Sequence, residues 1–261
     1  MNRLGDKVLQ GAMGVDKFKE VDGEQFVFLR FICILCPINS YMRQIEGDSW
    51  SLPQCSLLNT LILKEGEYIW QDGEDLESCF NLFSMPPSWW KYFVFSKQVA
   101  ATAFNGVAGR LVWVIMKALP MGWINSVAFI QNFIRRLVFK ECKVPPSLEV
   151  NPRQRVIHGD AVVTCMDGFD LFTRLQLLSK ELVSFKGSPV ESRGGKSAVM
   201  STFIDACKKL GLPLNCGKSV VRSFVGACLG GELDGISGIL RVSQDKSHGL
   251  ACKSAAMLSC K

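Results

Sequence analysis

The sequence contains very little histidine and no long uninterrupted apolar segment. Only two histidines, His158 and His248, occur in 261 residues, and neither stands in a context typical of a hydrolytic triad. No segment reaches the roughly 18 apolar residues that are needed to cross a bilayer. The most apolar one, 111–134, is interrupted by Lys117 and Pro120. These absences argue against histidine-based hydrolysis and against a membrane-spanning helix, so we expect a soluble protein.

The N-terminal segment also lacks the apolar core of a secretory signal, because charged residues occupy positions 3, 6 and 7. Eleven cysteines, an odd number, are scattered from Cys33 to Cys260. Reduced thiols in an intracellular protein, nuclear or cytoplasmic, are therefore expected rather than a disulfide framework.

The composition is that of a folded chain, with 48% apolar residues and a formal net charge of +6. A chain of this length forms one large domain or two lobes. The positive charge is a mild excess, compatible with a polyanionic partner but insufficient to demonstrate one.

Residues 161–172 form the most informative stretch. An apolar, β-branched run is followed by Asp167-Gly168, and the chain then continues with two aromatic residues and Asp170. An Asp-Gly pair between apolar segments predicts a β-hairpin with a type I′ turn, which would place Asp167 at the tip. Taken alone, the motif is more typical of a surface turn whose aspartate tolerates left-handed geometry.

The remaining patterns predict strands interrupted by helices of varied spacing, which indicates an α+β fold. Predicted strands cover 25–35, 91–95, 111–116, 219–225 and 239–242. Predicted helices cover 75–83, 127–137, 171–185 and 198–210. We interpret 1–24 as a poorly ordered lead-in and 243–261 as a frayed tail.

Two Gly-Lys-Ser tripeptides, at 195–197 and 217–219, suggest a phosphate-binding loop but fail its spacing. That loop needs a further glycine five residues before the second one, and these positions hold Val190 and Leu212. Metal-dependent chemistry on carboxylates is the option that remains.

Several blocks, in order from about residue 30 to 233, resemble the reverse transcriptases of retroelements. The most diagnostic is Ala-Leu-Pro-Met-Gly-Trp-Ile-Asn-Ser-Val-Ala-Phe-Ile-Gln at 118–131, which resembles the family's Leu-Pro-x-Gly-aromatic block and the following helix that ends in Phe-x-Gln. The hairpin at 165–168 resembles the aromatic-x-Asp-Asp turn of the family. Shorter blocks resemble the fingers strand (30–39), the Lys-Tyr-x-x-Phe spacing (91–95), the lysine segment (210–219) and the primer grip (229–233).

This resemblance implies a set of site residues. Asp75 and Asp167 would be catalytic and would bind the metal, Mg²⁺ or Mn²⁺. Nucleotide-binding positions implied in the same way are Arg30, Phe80, Met121, Gly122 and Lys218. Template or primer contacts are implied for Trp123, Gln131, Leu229, Gly230 and Gly231.

The resemblance also implies a fingers–palm polymerase core with an antiparallel palm sheet backed by helices and with the thumb absent. Fingers would comprise 1–43 and 83–125, and palm 44–82 and 126–235. Residues 236–261 would be a frayed tail or the start of a truncated thumb.

The implied activity is template-directed transfer of a nucleotide from dNTPs to a primer 3′-hydroxyl, with an RNA or DNA template-primer as partner and no membrane. Such chemistry uses two divalent ions roughly 3.5–4 Å apart. Mg²⁺ prefers carboxylate oxygens and substrate phosphates, so carboxylates from two separate elements suit it.

The sequence departs from the family in the hairpin itself. Gly168 stands where the second aspartate is expected, and Cys165 where the aromatic residue is expected. Met121 and Cys36 also replace residues common in the family. Asp170 lies down the return strand, where its reach to the metal is doubtful. Loss of one carboxylate weakens a two-metal site, so an activity that is reduced or lost is expected.

Two other hypotheses remain open at this point. One is a catalytically inactive relic that keeps the fold and at most binds nucleic acid. The other is a non-polymerase α+β binding module, for which the ordered blocks would be coincidence. For single residues the alternatives are structural: Arg30 as an edge-strand charge, and Phe80 and Trp123 as core aromatics.

Overall fold

The chain folds into two units, the first with one β-sheet and the second with two. The structure is a computed structural model and describes residues 3–4, 7–21, 24–177 and 195–242. The first unit comprises Met1–Gly47 and Ser78–Ile130, and the second comprises Asp48–Glu77 and Gln131–Lys261.

Twelve strands and three α-helices are present in the described residues. The strands are β1 (Arg3–Leu4), β2 (Lys7–Val21), β3 (Glu24–Ile34), β4 (Glu67–Asp75), β5 (Val94–Ala100), β6 (Leu111–Ile115), β7 (Ala161–Cys165), β8 (Gly168–Gln176), β9 (Val220–Ser223), β10 (Val225–Cys228), β11 (Gly231–Asp234) and β12 (Ile239–Val242). The helices are α1 (Cys36–Asn39), α2 (Ser126–Arg136) and α3 (Ala198–Lys209). The mixed content and the mostly antiparallel pairing confirm the predicted α+β class.

The sheet of the first unit has the order β1-β2-β5-β6, with β3 paired to β2. β2 and β3 form a long antiparallel hairpin from Gly11 opposite Ile34 to Val21 opposite Glu24. The prediction of a strand at 25–35 is thus confirmed. The prediction of a poorly ordered lead-in at 1–24 is wrong for 7–21, which form β2, and residues 1–2, 5–6 and 22–23 lie outside the described part. β2 is weakly patterned by itself. It forms a strand because residues 11–21 pair with β3, whose aromatic and β-branched residues favour a strand.

Two sheets build the second unit. The larger has the order β7-β8-β4-β9 and is antiparallel throughout, and the smaller has the order β10-β11-β12. A buried cluster joins strand residues of both sheets to neighbouring loops: Leu58, Ile69, Val150, Val156, Ala161, Val163, Phe172, Cys228 and Leu233. Helix α3 contributes Met200, Phe203 and Cys207 to the buried residues.

Several predicted elements are confirmed. The strand at 111–116 and the helices at 127–137 and 198–210 are present within two residues of their predicted limits. Gly211 has a φ of 69°, as a residue that ends a helix in the left-handed region does. The predicted strand at 239–242 is β12.

Three predictions of local structure are wrong. The predicted helix at 171–185 is a strand as far as Gln176, because nine residue pairs join β8 to β4; residues 178–185 lie outside the described part. Asp75 ends a strand rather than beginning a helix, and only Cys79–Leu82 forms a 3₁₀ turn. Pro87–Tyr92 is also 3₁₀-helical, so the predicted strand at 91–95 begins only at Val94.

Among the described residues, no helix is both long and apolar enough to span a membrane.

The β2–β3 hairpin exposes many apolar side chains, and this makes a prediction about solubility. Leu29 is 71% exposed and Val27 59%, and β3 pairs with no strand other than β2 among the described residues. Exposed apolar edge strands promote association. The double variant V27T/L29T keeps β-branched residues in the strand, and its soluble concentration, measured by static light scattering, should rise severalfold. As a control, V107T changes an exposed residue in a loop and should leave the soluble concentration unaltered. Equal solubility of all three proteins would contradict the prediction.

Candidate active site

Strand pairing in the second unit brings Asp75 and Asp167 together. Asp75 is the last residue of β4 and lies opposite Gly168, the first residue of β8. Asp167 immediately precedes Gly168, and its carbonyl oxygen accepts a hydrogen bond of 2.6 Å from the Leu76 N–H. The two aspartates are therefore adjacent, one at a strand end and one in a hairpin loop.

The hairpin loop is shifted by one residue from its predicted position. Cys165 pairs with Gly168, so the loop is Met166-Asp167 rather than Asp167-Gly168. Met166 has a φ of 43°, whereas Asp167 is not among the left-handed residues. One positive φ, at the first loop position, is the pattern of a type II′ turn and not of the predicted type I′ turn. The glycine is absent from the loop because its backbone is part of the β4–β8 ladder.

Gln131 holds this strained loop from inside the protein. The Gln131 side chain is fully buried, and its Oε1 accepts a hydrogen bond of 2.8 Å from the Met166 N–H. Its Nε2 donates to the Thr164 carbonyl at 2.9 Å and to Ser51 Oγ at 3.0 Å. A left-handed non-glycine residue costs about 1–2 kcal/mol, and this buried amide offsets part of that cost. The Gln131 side chain thus lies beneath the hairpin and holds its backbone.

The two carboxylates influence each other electrostatically. Burial, followed by the negative charge of Asp75, raises the pKa of Asp167 above its ordinary value, and the Lys218 ammonium opposes this rise. Lys218 Nζ lies 2.5 Å from Asp75 Oδ2. The segment that carries Lys218 is held next to β4 by a backbone contact, in which the Asn215 N–H donates to the Asp75 carbonyl at 2.8 Å.

The donor set fits one divalent cation better than two. Asp75 and Asp167 offer hard carboxylate oxygens, and Mg²⁺ is commonly held by one or two carboxylates plus substrate phosphates. In the described part of the chain, no group of three or more metal-ligating side chains converges. At Gly168, where the resemblance predicts a second hairpin aspartate, an added Cβ would lie 3.5 Å from Asp75 Oδ1, an ordinary contact distance. The backbone at this position therefore has room for a side chain.

Both carboxylate oxygens of Asp170 accept hydrogen bonds from neighbouring side chains. Its Oδ1 accepts a hydrogen bond of 2.7 Å from Gln71 Nε2, and its Oδ2 accepts one of 3.3 Å from the Cys228 thiol. Burial raises the pKa of Asp170 to about 6, against the effect of these two hydrogen bonds. The carboxylate lines a cavity of about 390 Å³ that is also bordered by Asp75 and Lys218.

The two Gly-Lys-Ser tripeptides bind the acidic end of β4, a role that the sequence did not indicate. Asp72 and Glu74 are buried in β4. From the first tripeptide, the Lys196 ammonium pairs with Glu74 and the Ser197 N–H donates to Asp72 at 3.2 Å. From the second tripeptide, Ser219 Oγ donates to Glu74 at 3.0 Å and Lys218 reaches Asp75. The only signal in the sequence was the coincidence of an acidic strand end with two basic tripeptides.

The predicted primer-grip residues form the turn between β10 and β11. Leu229 has a φ of 52° and Gly230 of 82°, which is the type I′ pattern. Leu229 borders the same cavity as Asp75 and Lys218. Gly231 begins β11, and a Cβ there would overlap the Cys55 sulfur.

The other predicted site residues belong to the first unit. Arg30 lies on β3 opposite Val15, and Phe80 is half-buried in a 3₁₀ turn. Met121 is 42% exposed, and Gly122 has a φ of 95°. Trp123 is buried and packs against Phe93, as the core-aromatic interpretation requires.

The Lys196–Glu74 pair makes a prediction about stability. The Lys196 side chain is 18% exposed and that of Glu74 only 3%. Removal of one partner from a buried ion pair leaves an uncompensated charge, so K196M should lower the free energy of unfolding in urea by about 3–5 kcal/mol. The control is K208M, because the pair of Lys208 with Asp205 is 71% and 77% exposed and should contribute less than about 1 kcal/mol. Equal losses in the two variants would contradict the prediction.

Asp170 makes a prediction about pH dependence. With a pKa near 6 in the folded state and an ordinary value of 3.8, the folded protein binds more protons than the unfolded chain between these two pH values. Asp170 should therefore make stability fall as pH rises from about 4 to 6. In D170N this contribution, up to about 3 kcal/mol, should be absent from unfolding curves recorded across that window. If the free energies of unfolding of D170N and of the natural sequence changed with pH in parallel, the prediction would be refuted.

No model of a protein family matches the sequence, and no curated protein matches it. Solved structures do match. They include a foamy viral protease-reverse transcriptase in complex with dsDNA (TM-score 0.52, 13% identity, covering 91% of this chain and 37% of that one). A second is this type of protein in complex with an RNA/DNA hybrid (TM-score 0.51, 12% identity, 83% and 22%). A third is a dRH form in complex with dsDNA (TM-score 0.50, 12% identity, 87% and 30%). The chain thus spans less than two fifths of each matched chain. These likenesses show that the chain has a reverse transcriptase-like fold.

Proposed function

We propose that the chain is a reverse transcriptase-like domain that transfers nucleotides from dNTPs to a primer 3′-hydroxyl under the direction of a template, with much reduced efficiency. The observation that carries the proposal is the adjacency of Asp75 and Asp167, fixed by the β4–β8 register and by the Leu76–Asp167 hydrogen bond. The reverse transcriptase-like fold supports it, and so do the duplexes in the matched structures, a DNA duplex and an RNA/DNA hybrid. The partners would be an RNA or DNA template-primer and dNTPs.

Asp75 and Asp167 would hold the cation, Mg²⁺ or Mn²⁺. Bound there, it would activate the primer 3′-hydroxyl and steady the phosphates of the nucleotide. Gln131 keeps Asp167 in place by fixing the backbone of Met166. The Lys218 ammonium neutralises Asp75 and would be available to the phosphates once the cation takes over that charge.

The two units would correspond to fingers and palm. In this assignment the second unit is the palm, and the first unit, which carries the predicted nucleotide and template residues Arg30, Phe80, Met121, Gly122 and Trp123, is the fingers. A planar guanidinium is suited to phosphate oxygens.

The reduced efficiency follows from Gly168. A site with two carboxylates holds one cation well and a second one poorly, which would cost several kcal/mol of transition-state stabilisation. A second candidate function is a catalytically inactive relic that at most binds nucleic acid. The ion pair between Lys218 and Asp75 favours it, because the lysine already neutralises a carboxylate that the cation needs.

Primer extension on a templated duplex with Mg²⁺ or Mn²⁺ tests the proposal. The natural sequence should extend weakly, and D75N and D167N should abolish extension. G168D adds a third carboxylate at a position where a Cβ meets only ordinary contact distances and should raise the rate by about ten-fold or more. The matched control is G168A, which adds the Cβ without the charge and should give no increase.

The outcomes separate the two candidates. Extension that is lost in D75N and increased in G168D supports polymerase function. Absence of extension in both the natural sequence and G168D, with the duplex still bound in a mobility-shift assay, would replace the proposal with the relic.

A further inference from the structure

The first unit contains an aromatic cluster that is only partly covered. Trp123 is 2% exposed and stacks on Phe129, with ring centroids 5.8 Å apart and planes inclined by 21°. Trp89 meets both rings edge-on, at 5.5 and 6.4 Å. Phe129 is nevertheless 43% exposed, so part of this aromatic platform remains free for a further ring.

This platform forms one wall of a cavity of about 510 Å³. Its lining includes Ile38, Tyr41, Met42, Ile45 and Tyr92, and its polar members are Arg43 and Asn125. Small-molecule sites are typically concave, mostly apolar, about 300–1,000 Å³ in volume, and equipped with a few polar groups. The cavity has the size and the lining of such a site.

Two asparagines fix the shape of the cavity. Asn125 donates from Nδ2 to the Arg43 carbonyl at 3.1 Å and accepts at Oδ1 from the Ile45 N–H at 2.9 Å. Asn39 makes the same double contact with the neighbouring loop, donating to the Gly122 carbonyl at 2.9 Å and accepting from the Ile124 N–H at 3.0 Å. Both amides are thus used to hold backbone, and the backbone on which Arg43 is mounted is set before any ligand arrives. A preformed site binds with a smaller entropic cost.

One polar group in the lining has no partner of opposite charge. Arg43 is exposed and forms no ion pair with any described carboxylate. A guanidinium binds anionic oxygens through charge-assisted hydrogen bonds. An exposed cation at the wall of a mostly apolar cavity therefore favours a negatively charged ligand.

We propose that this cavity is a binding site for a small planar aromatic molecule that carries a negative charge. Its ring would lie against Phe129 in the manner of an offset stack, and its anionic group would pair with Arg43. This site lies within the first unit, involves neither Asp75 nor Asp167, and does not depend on nucleotidyl transfer.

The test uses two fluorescent probes that differ in charge, with the full chain. One is 1-anilinonaphthalene-8-sulfonate, and the other is N-phenyl-1-naphthylamine, which has the same rings without the sulfonate. Binding is followed by energy transfer from tryptophan, since Trp89 and Trp123 lie at the site. R43Q removes the charge with little change in size. R110Q, at another exposed arginine of the same unit, is the matched control, and circular dichroism verifies the fold of each variant.

R43Q should weaken binding of the sulfonate probe about ten-fold and leave the neutral probe unaffected within about two-fold. F129A should weaken both probes, and R110Q neither. Equal affinity of R43Q and R110Q for the sulfonate probe would overturn the proposal, as would undiminished binding of both probes to a folded F129A. If F129A does not fold, the comparison of the two arginine variants alone decides.

Discussion

The second unit depends on the burial of acidic side chains at the end of β4. Asp72 and Glu74 are 0% and 5% exposed, and a buried carboxylate is tolerated only when it is paired or hydrogen-bonded. This requirement draws Lys196 and Ser219 to Glu74, and the backbone N–H groups of Ser197 and Arg222 to Asp72. These contacts hold the start of α3 and the region of β9 against β4. β4 in turn pairs with β8, and this pairing brings Asp75 opposite Gly168, next to Asp167. Satisfied charges thus support the strand on which half of the candidate site is mounted.

Much of the fold could be predicted where a single segment carries its own pattern. The aromatic and β-branched run of β3 and the helical spacing in α2 and α3 are local signals, and they correctly predicted those elements. β2 and β8 were missed because pairing with another strand, rather than their own residue pattern, decides their structure. Lys7–Val21 has a weak pattern of its own but pairs with β3, and the leucines of β8 fit helical spacing until the nine-residue pairing with β4 overrides it.

The candidate site was predicted in part, and for a physical reason. Asp167 lies in one of the ordered sequence blocks, and Asp75 falls where the resemblance implies the other aspartate. The β4–β8 register brings the two residues next to each other. The roles of Lys196 and Ser197 are not visible in sequence, because they arise from contacts with β4 across more than a hundred residues. Gln131 was identified as a template or primer contact, but only the structure shows that its side chain is buried beneath the hairpin. Spacing identifies residue types and does not reveal which way a side chain faces.

The pairing of Asp75 with Gly168 has a consequence for how such a site persists through evolution. Side chains alternate between the two faces of a strand, so a slip of one residue between β4 and β8 would move the apolar residues of β8 out of the core. The register that preserves the core therefore also keeps positions 75 and 167 next to each other. Selection for a folded chain alone keeps the backbone arrangement of the acidic pair intact, and only the identities of the side chains are free to drift. At Gly168 an added Cβ would meet only ordinary contact distances, so the residue at this position can vary without disturbing the register.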